Sequence, residues 1–347
     1  MRNSCRFLTS DFIFLLWYNI DRMVESVNYK SIYRLQNPLN EAKIAGPNNK
    51  FLHLIEDFYR EEILMKLAEI KVREDSPNAD RLVSLFELLE GIFERGNLSE
   101  IDLVSILNNF NGSNQRELLE LFLNKNVLLI THGGKPVYPK TLNQKYYLSA
   151  LEKNDVVFAV GPAGTGKTYL GVLFAVMKLK AGEIRKIVLV RPVVEAGEKL
   201  GYLPGDLKEK IDPYLVPLYD ALNEALGKDQ VDKLIEKGIV EIAPLAYMRG
   251  RTLEGAIVIL DEAQNSSQMQ MKMFLTRLGY GSKMIITGDV TQIDLPDQRA
   301  SGLIQALKIL EGIKSIQICQ FDRRDVMRHP LVEKILEKYE RHENKSF

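Results

Sequence analysis

Six short apolar runs punctuate the later part of the chain, at 156–160, 187–190, 239–242 (the weakest), 257–260, 284–287 and 316–318. Each is too short for a helix; the first, β-branched throughout but for Phe158 and Ala159, reads as a buried parallel strand, and the others are runs bounded by polar segments. Helical patterns separate most of them. After the first run, Leu170, Phe174 and Met177 recur at helical spacing and Gly182 supplies a stop. Strands alternating with helices predict an α/β fold with a mostly parallel sheet covered on both faces. Met269, Met273 and Phe274, after the fourth run, read as core packing.

The earlier part is patterned differently. Residues 31–50 are polar, carry Pro38, Gly46 and Pro47, and read as loop. Phe51, Leu54, Ile55 and Phe58 then fall at helical spacing, and 68–73 alternates as a strand. A longer helix runs through Leu82, Leu85, Phe86, Leu89 and Phe93 after Pro77, and Ser99 with Asp102 has the spacing of a capping box. These elements predict a small α+β domain over 23–130. Gly133, Gly134 and Pro136 mark the join to a second domain over 131–347. Residues 1–22 read as an extension, with Met23 as the expected initiator. Their apolar run at 12–20 is too short to span a membrane, Asp11 precedes it, and no A-x-A cleavage site follows.

Composition narrows the function classes. The 347 residues are 46% hydrophobic and 27% charged, at globular levels, and the formal net charge is zero. That argues against a polybasic coat for nucleic acid. The first 130 residues hold 15 basic against 19 acidic side chains and the rest hold 31 against 27. Any nucleic-acid groove is therefore local and belongs to the later domain. Cys5 and Cys319, far apart, and four histidines build no zinc or disulfide framework, which fits a reducing cytoplasm.

The chemistry begins where the first apolar run ends. Gly161-Pro162-Ala163-Gly164-Thr165-Gly166-Lys167-Thr168 fits the Walker A pattern between a strand and a helix. Glycines let successive backbone N–H groups turn inward around a polyphosphate, and the helix N-terminus adds its positive end. Lys167 would reach the β- and γ-phosphates of ATP, and the Thr168 hydroxyl would ligate Mg²⁺. The run at 257–260 ends in Asp261-Glu262, the Walker B arrangement. Acids at the carboxyl end of a buried parallel strand face the ligand crevice. Asp261 would hold Mg²⁺ and Glu262 would orient and deprotonate the attacking water. Thr287-Gly288-Asp289-Val290-Thr291-Gln292 ends the next run, where Gln292 or Asp289 could sense the γ-phosphate. Ahead of the Walker A strand, Gln144 could pair with an adenine edge, and a neighbouring tyrosine could stack on the ring. Arg191, Arg249, Arg251, Arg299, Arg323, Arg324 and Arg328 are candidates to stabilise the transferring phosphoryl group, with Arg328 the catalytic candidate.

Together these residues resemble the PhoH family of bacterial ATPases, whose core is akin to the first RecA-like domain of superfamily 1 helicases. Matching stretches are 161–168, 191–201, 203–206, 248–252, 260–265 and 287–289, and the likeness runs from about 135 to 340. Before 130 the family is expected to carry a small KH-like domain. Gly46-Pro47-Asn48-Asn49 followed by a helix is similar to its start, although it forms no G-x-x-G clamp. The resemblance implies a RecA-like P-loop NTPase that hydrolyses ATP with Mg²⁺ in RNA metabolism, and an endoribonuclease of ribosome maturation as a partner. A single RecA-like core lacks the domain that completes its site, so a homo-oligomeric ring with the finger from a neighbouring subunit is expected. Two other readings use the same residues: an ATP-gated module whose slow hydrolysis times a partner interaction, and a small-molecule P-loop kinase. The tandem Asp261-Glu262 speaks against the kinase, because a water-activating acid favours hydrolysis.

Overall fold

The computed structural model describes residues 28–124, 126–192, 207–327, 331–332, 335 and 338–339. The proposed extension over 1–22, the stretch 203–206 and Arg328 lie outside the described residues. Two compact units emerge.

The first unit holds the described residues up to Asn97 together with Asn111–Gln115. Its elements are β1 (Tyr29–Arg34), α1 (Glu41–Ala45), α2 (Lys50–Tyr59), β2 (Leu64–Lys66), β3 (Glu69–Arg73) and α3 (Ala79–Arg95). The sheet is antiparallel in the order β1-β3-β2. Ile70 and Val72, alternate positions of β3, are fully buried, as are Leu82, Leu85 and Phe86 of α3. The stretch 31–50, expected as loop, instead carries most of β1 and all of α1. The sequence Tyr-Lys-Ser-Ile-Tyr-Arg hides β1 because none of its positions is fully buried, so no alternation is written there. Its polar groups are tied instead: the Tyr33 hydroxyl donates to Glu90 at 2.7 Å, and Glu90 also accepts from Asn37 N at 2.8 Å. Burial, and then that carboxylate, push the Tyr33 phenol well above its ordinary value. In the loop between α1 and α2, Asn48 and Asn49 adopt left-handed φ of 52° and 60°. Asparagine tolerates that region because its short side chain can bond locally.

The second unit takes Leu98–Phe110 and the described residues from Arg116 onward. The helix α4 (Glu100–Asn109) therefore sits with the second unit, although the sequence reading put it before the join. The capping box at its start is formed: Ser99 and Asp102 bond each other's backbone N–H. α5 (Gln115–Leu123) and a short hairpin, β4 (Leu129–Ile130) with β5 (Pro136–Val137), lead into the core, with Gly133 and Gly134 at the turn.

The core follows as α6 (Leu142–Lys153), β6 (Val156–Val160), α7 (Lys167–Lys180), β7 (Lys186–Arg191), α8 (Leu207–Leu226), α9 (Lys228–Glu236) and β8 (Val240–Pro244). Then come β9 (Ala256–Leu260), α10 (Gln268–Leu275), β10 (Lys283–Gly288), α11 (Gly302–Ile309) and β11 (Ile316–Gln320). All six strands from β6 on pair in parallel, in the order β11-β6-β10-β9-β7-β8. This is the α/β arrangement expected of a RecA-like core, with β10 between the Walker A and Walker B strands.

Alternation along the strands divides the core in two. Val157, Ala159, Ile187, Leu189, Ile257, Ile259 and Ile285 pack with Leu170, Leu173 and Phe174 of α7 and with Leu218 and Leu222 of α8. Val156, Phe158, Val160, Val188, Val258, Leu260 and Ile286 pack on the other face with Met271, Phe274 and Leu303. Each such side chain contributes about 1.5–3 kcal/mol on burial, so the sheet is fixed from both sides. Met269 does not join them. It is 82% exposed, because α10 turns Met271 and Phe274 inward instead.

At the β8 edge, Glu241 accepts a two-pronged contact from Arg251 at 2.6 and 2.8 Å, and Lys186 at 2.6 Å. The Arg251 hydrogen bonds, opposed by burial and aided by Lys186, hold the Glu241 carboxyl down at about 2. Arg251, a candidate for phosphate contact, is thus committed to the sheet edge. A depressed folded-state value contributes stability above the unfolded value of about 4.3 and loses it as pH falls further. Glu241→Gln should lower the melting temperature at pH 7, and the gap to wild type should shrink from about pH 5 and close only as pH falls through about 2. A gap that does not change over that range would show the cluster contributes nothing.

Candidate active site

The Walker A loop begins where β6 runs out. Gly161 N donates to Gly288 O at 3.1 Å and Phe321 N to Val160 O at 2.8 Å, so both neighbouring strands grip the first turn. Gly161 has φ +149°, and a Cβ there would lie 2.3 Å from Phe321 O. No other residue type fits without moving a strand.

The loop's carbonyls then find donors one by one. Met327 N donates to Gly164 O at 2.9 Å, and the Thr165 hydroxyl to Pro162 O at 3.1 Å. The Lys167 ammonium donates to Gly161 O and Pro162 O, both at 2.7 Å, and to the Thr165 hydroxyl at 3.2 Å. Gln144 Nε2 donates to Thr165 O at 3.1 Å, while its Oε1 accepts from Lys140 N at 2.7 Å. Gln144 is only 4% exposed. Its amide therefore holds the loop, and the structure does not place it as the adenine reader expected from its position. Tyr147 is likewise unable to stack on a base: it is fully buried, donates to Lys167 O at 3.3 Å and meets the Phe321 ring edge-on. Burial pushes its phenol far above the ordinary value.

Further polar ties support the backbone that holds Gln144. Lys140 pairs with Asp102, which also accepts from Tyr138, and the Ser105 hydroxyl donates to Lys140 O at 2.6 Å. Burial alone would raise the Asp102 carboxyl, but hydrogen bonds from Lys140 and Ser99 hold it below its ordinary value. Asn143 donates to the buried Asp325 at 2.8 Å, and Asn109 to Arg324 O at 2.9 Å. Arg324 itself pairs with Asp322.

At the strand tips, three hydroxyl and carboxylate groups converge. Thr168 Oγ1 donates to Asp261 Oδ1 at 2.6 Å, and Thr287 Oγ1 to the same oxygen at 2.8 Å. Asp261 N donates to Val190 O, which fixes the acid at the end of β9. Thr168 and Asp261 supply hard oxygens side by side, a donor pair suited to a divalent cation that keeps most of its ligands as water and phosphate. Among the described residues no group of three or more His, Cys, Asp and Glu side chains could hold a metal by itself.

Glu262 has φ +52°, a left-handed backbone costly for a residue with a Cβ. One carboxylate oxygen lies 3.3 Å from Arg191, and the other accepts from Gln264 at 2.6 Å. Across from it, Gln292 Nε2 donates to Asp289 Oδ2 at 2.7 Å, and Thr291 caps the other Asp289 oxygen. Lys167, Thr168, Arg191, Asp261, Glu262, Asp289 and Gln292 all line one cleft of about 440 Å³. Arg249, Arg299 and Arg323 are exposed. The sequence reading gave no role to Thr287, Gln264 or Asn143. A polar residue ending an apolar run was the only available signal for Thr287.

Gln144→Leu leaves the Lys140 N–H and the Thr165 carbonyl without their buried partners, at about 1–3 kcal/mol each. The variant should melt several degrees lower and bind ATP and GTP with equal weakening. A variant of wild-type melting temperature that loses ATP alone would instead restore the adenine-reading role.

A family profile described as PhoH-like protein matches residues 136–340. A PhoH-like protein of Bacillus subtilis (strain 168) is 51% identical over 312 residues, 89% of this chain and 96% of that one. One from Synechocystis is 44% identical over 313 residues, 90% and 95% of the two chains. Protein PhoH of Escherichia coli (strain K12) is 45% identical over 206 residues, 59% of this chain and 58% of that one. With the Walker A loop, both Walker B acids and the loop after β10 gathered at adjacent strand tips, the chain belongs to the PhoH family.

Proposed function

We propose that this protein is a Mg²⁺-dependent ATPase whose turnover is coupled to binding or remodelling RNA. One observation carries the hydrolytic part: the phosphate-binding loop, the metal-suited pair and a second, separately held carboxylate share one cleft. The inward amides and Lys167 bind and orient the triphosphate. Mg²⁺, held by Thr168 and Asp261, would neutralise charge on the β- and γ-phosphates. Glu262 accepts a proton from the attacking water at its carboxylate, and the anchors on both of its oxygens keep it aimed. Gln292 and Asp289 line the same cleft, where they would sense the γ-phosphate and relay its loss through the loop after β10.

The RNA part is supported by family membership and by the exposed arginines near the strand ends. On this reading the phosphoryl-stabilising arginine comes from a neighbouring subunit of a ring, and Arg328 remains its candidate. An endoribonuclease of ribosome maturation is the proposed protein partner. Among the described residues no helix is long and apolar enough to cross a membrane.

Phosphate release should depend on Mg²⁺ and rise several-fold with single-stranded RNA. Glu262→Gln should bind ATP as wild type does while kcat falls roughly 10²–10⁴-fold, the range for a lost general base. A phosphorylated metabolite formed in place of free phosphate would select the kinase. Turnover indifferent to RNA, with ATP-dependent capture of a protein, would select the timer.

A further inference from the structure

For hydrolysis, two negative groups must approach across a single water: the Glu262 carboxylate and the γ-phosphoryl group. Among the described residues lining the cleft the cations are Lys167 and Arg191, and five carboxylates stand against them. The Lys167 ammonium already donates to Gly161 O, Pro162 O and the Thr165 hydroxyl, all inside its own loop. Arg191 is placed differently. It is the last residue of β7, and Val190 before it accepts from Asp261 N, so its side chain leaves the sheet beside both acids. It meets one Glu262 oxygen at 3.3 Å, whereas Arg251 closes on both oxygens of Glu241 at 2.6 and 2.8 Å. Closed charge-assisted bonds run at about 2.7–2.9 Å, so the Arg191 contact has slack that the Arg251 pair lacks.

We propose that Arg191 is a further catalytic residue, whose guanidinium bridges Glu262 and the γ-phosphate from within the same chain. Repulsion between two anions is steep in a cleft partly shielded from water. The group already seated against the carboxylate is the one that relieves it. A planar fork of N–H donors can hold a carboxylate and a phosphate oxygen at once, which an ammonium point charge does less well. In the step itself the water oxygen bonds to the γ-phosphorus, the bond from that phosphorus to the β–γ bridging oxygen breaks, and Glu262 takes the proton of the water. ADP leaves with the bridging oxygen. Arg191 keeps its own protons throughout and stabilises charge on the γ-oxygens. A diphosphate ends one group short of this bridge, so Arg191 should distinguish ATP from ADP. The inference rests on the hydrolytic reading of the cleft and adds to it: the arginine expected from a neighbouring subunit acts only in an assembly, whereas Arg191 acts in every copy.

The test uses the full chain with Mg²⁺, comparing wild type with Arg191→Met, which removes the charge, and Arg191→Lys, which keeps it without the fork. Binding is measured for ADP and for the β,γ-imido analogue of ATP. The Met variant should bind ADP within twofold of wild type and melt within a few degrees of it. It should bind the analogue at least tenfold more weakly and lose at least tenfold in kcat. The Lys variant should recover analogue binding in part while its kcat stays low. The ratio of wild-type to Met-variant kcat should hold over a hundredfold dilution of protein. A Met variant that keeps the wild-type ratio of analogue to ADP affinity would overturn the proposal. So would equal weakening of both nucleotides, which marks a merely structural role, or a kcat ratio that collapses on dilution. A wild-type protein that releases no phosphate removes the hydrolytic reading itself, whereas wild-type turnover matched by the Met variant removes only the role of Arg191.

Discussion

A loop that aims its N–H groups inward at a phosphate must aim its carbonyls outward, into protein. Buried carbonyls need donors, so the loop can exist only where the surrounding fold supplies them. Here the donors come from four places: the Lys167 ammonium, the Thr165 hydroxyl, the Met327 backbone and the Gln144 amide. Two of these lie well outside the motif, one before β6 and one after β11. The phosphate loop is thus the meeting point of both flanks of the core, and α4 is drawn into the second unit because it carries Asp102 and Ser105, which fix Lys140 and through it Gln144.

The same logic explains which parts of the molecule were legible in sequence. The four inner strands, buried on both faces, write nearly continuous apolar runs, and even the half-buried edge strands β8 and β11, interrupted by Glu241 and Gln317, were readable within a residue or two. The glycine loop was readable because φ +149° beside a strand carbonyl admits one residue type. What stayed hidden was held by polar bonds. β1 buries no side chain fully, and α4 is tied by an ion pair and a hydroxyl beside its buried Leu103, Ile106 and Leu107. Gln144 was legible as a residue of consequence, but its direction was not. An amide before a strand can face a base or a carbonyl with equal chemistry, and only the buried geometry chooses between them.

Arginine illustrates the limit from the other side. Seven arginines were candidates in the sequence, with Arg328 put forward as the catalytic one. In the fold, Arg251 is spent on Glu241, Arg324 on Asp322, and Arg191 on Glu262. Only the last of these pairs lies in the cleft. Its attraction at this distance is worth a few kcal/mol at an intermediate effective dielectric, offset in part by the cost of drawing both groups from water. It orients the carboxylate more than it stabilises the fold.

The division of labour inside the cleft follows from strand order. β10 lies between β6 and β9, so Thr287 stands beside both the Walker A threonine and the Walker B aspartate and can bond Asp261 directly. The acid that suits a metal is thereby locked to the sheet, through Thr287 and the Val190 carbonyl. Glu262, one residue on, has left the sheet and turned left-handed, and side chains alone hold its carboxylate. Adjacent acids of identical chemistry thus acquire different freedoms: Asp261 moves only with the strands, whereas Glu262 moves with whatever moves Arg191, Gln264 and the loop after β10. The sheet therefore aims the first acid, and its neighbours' side chains aim the second.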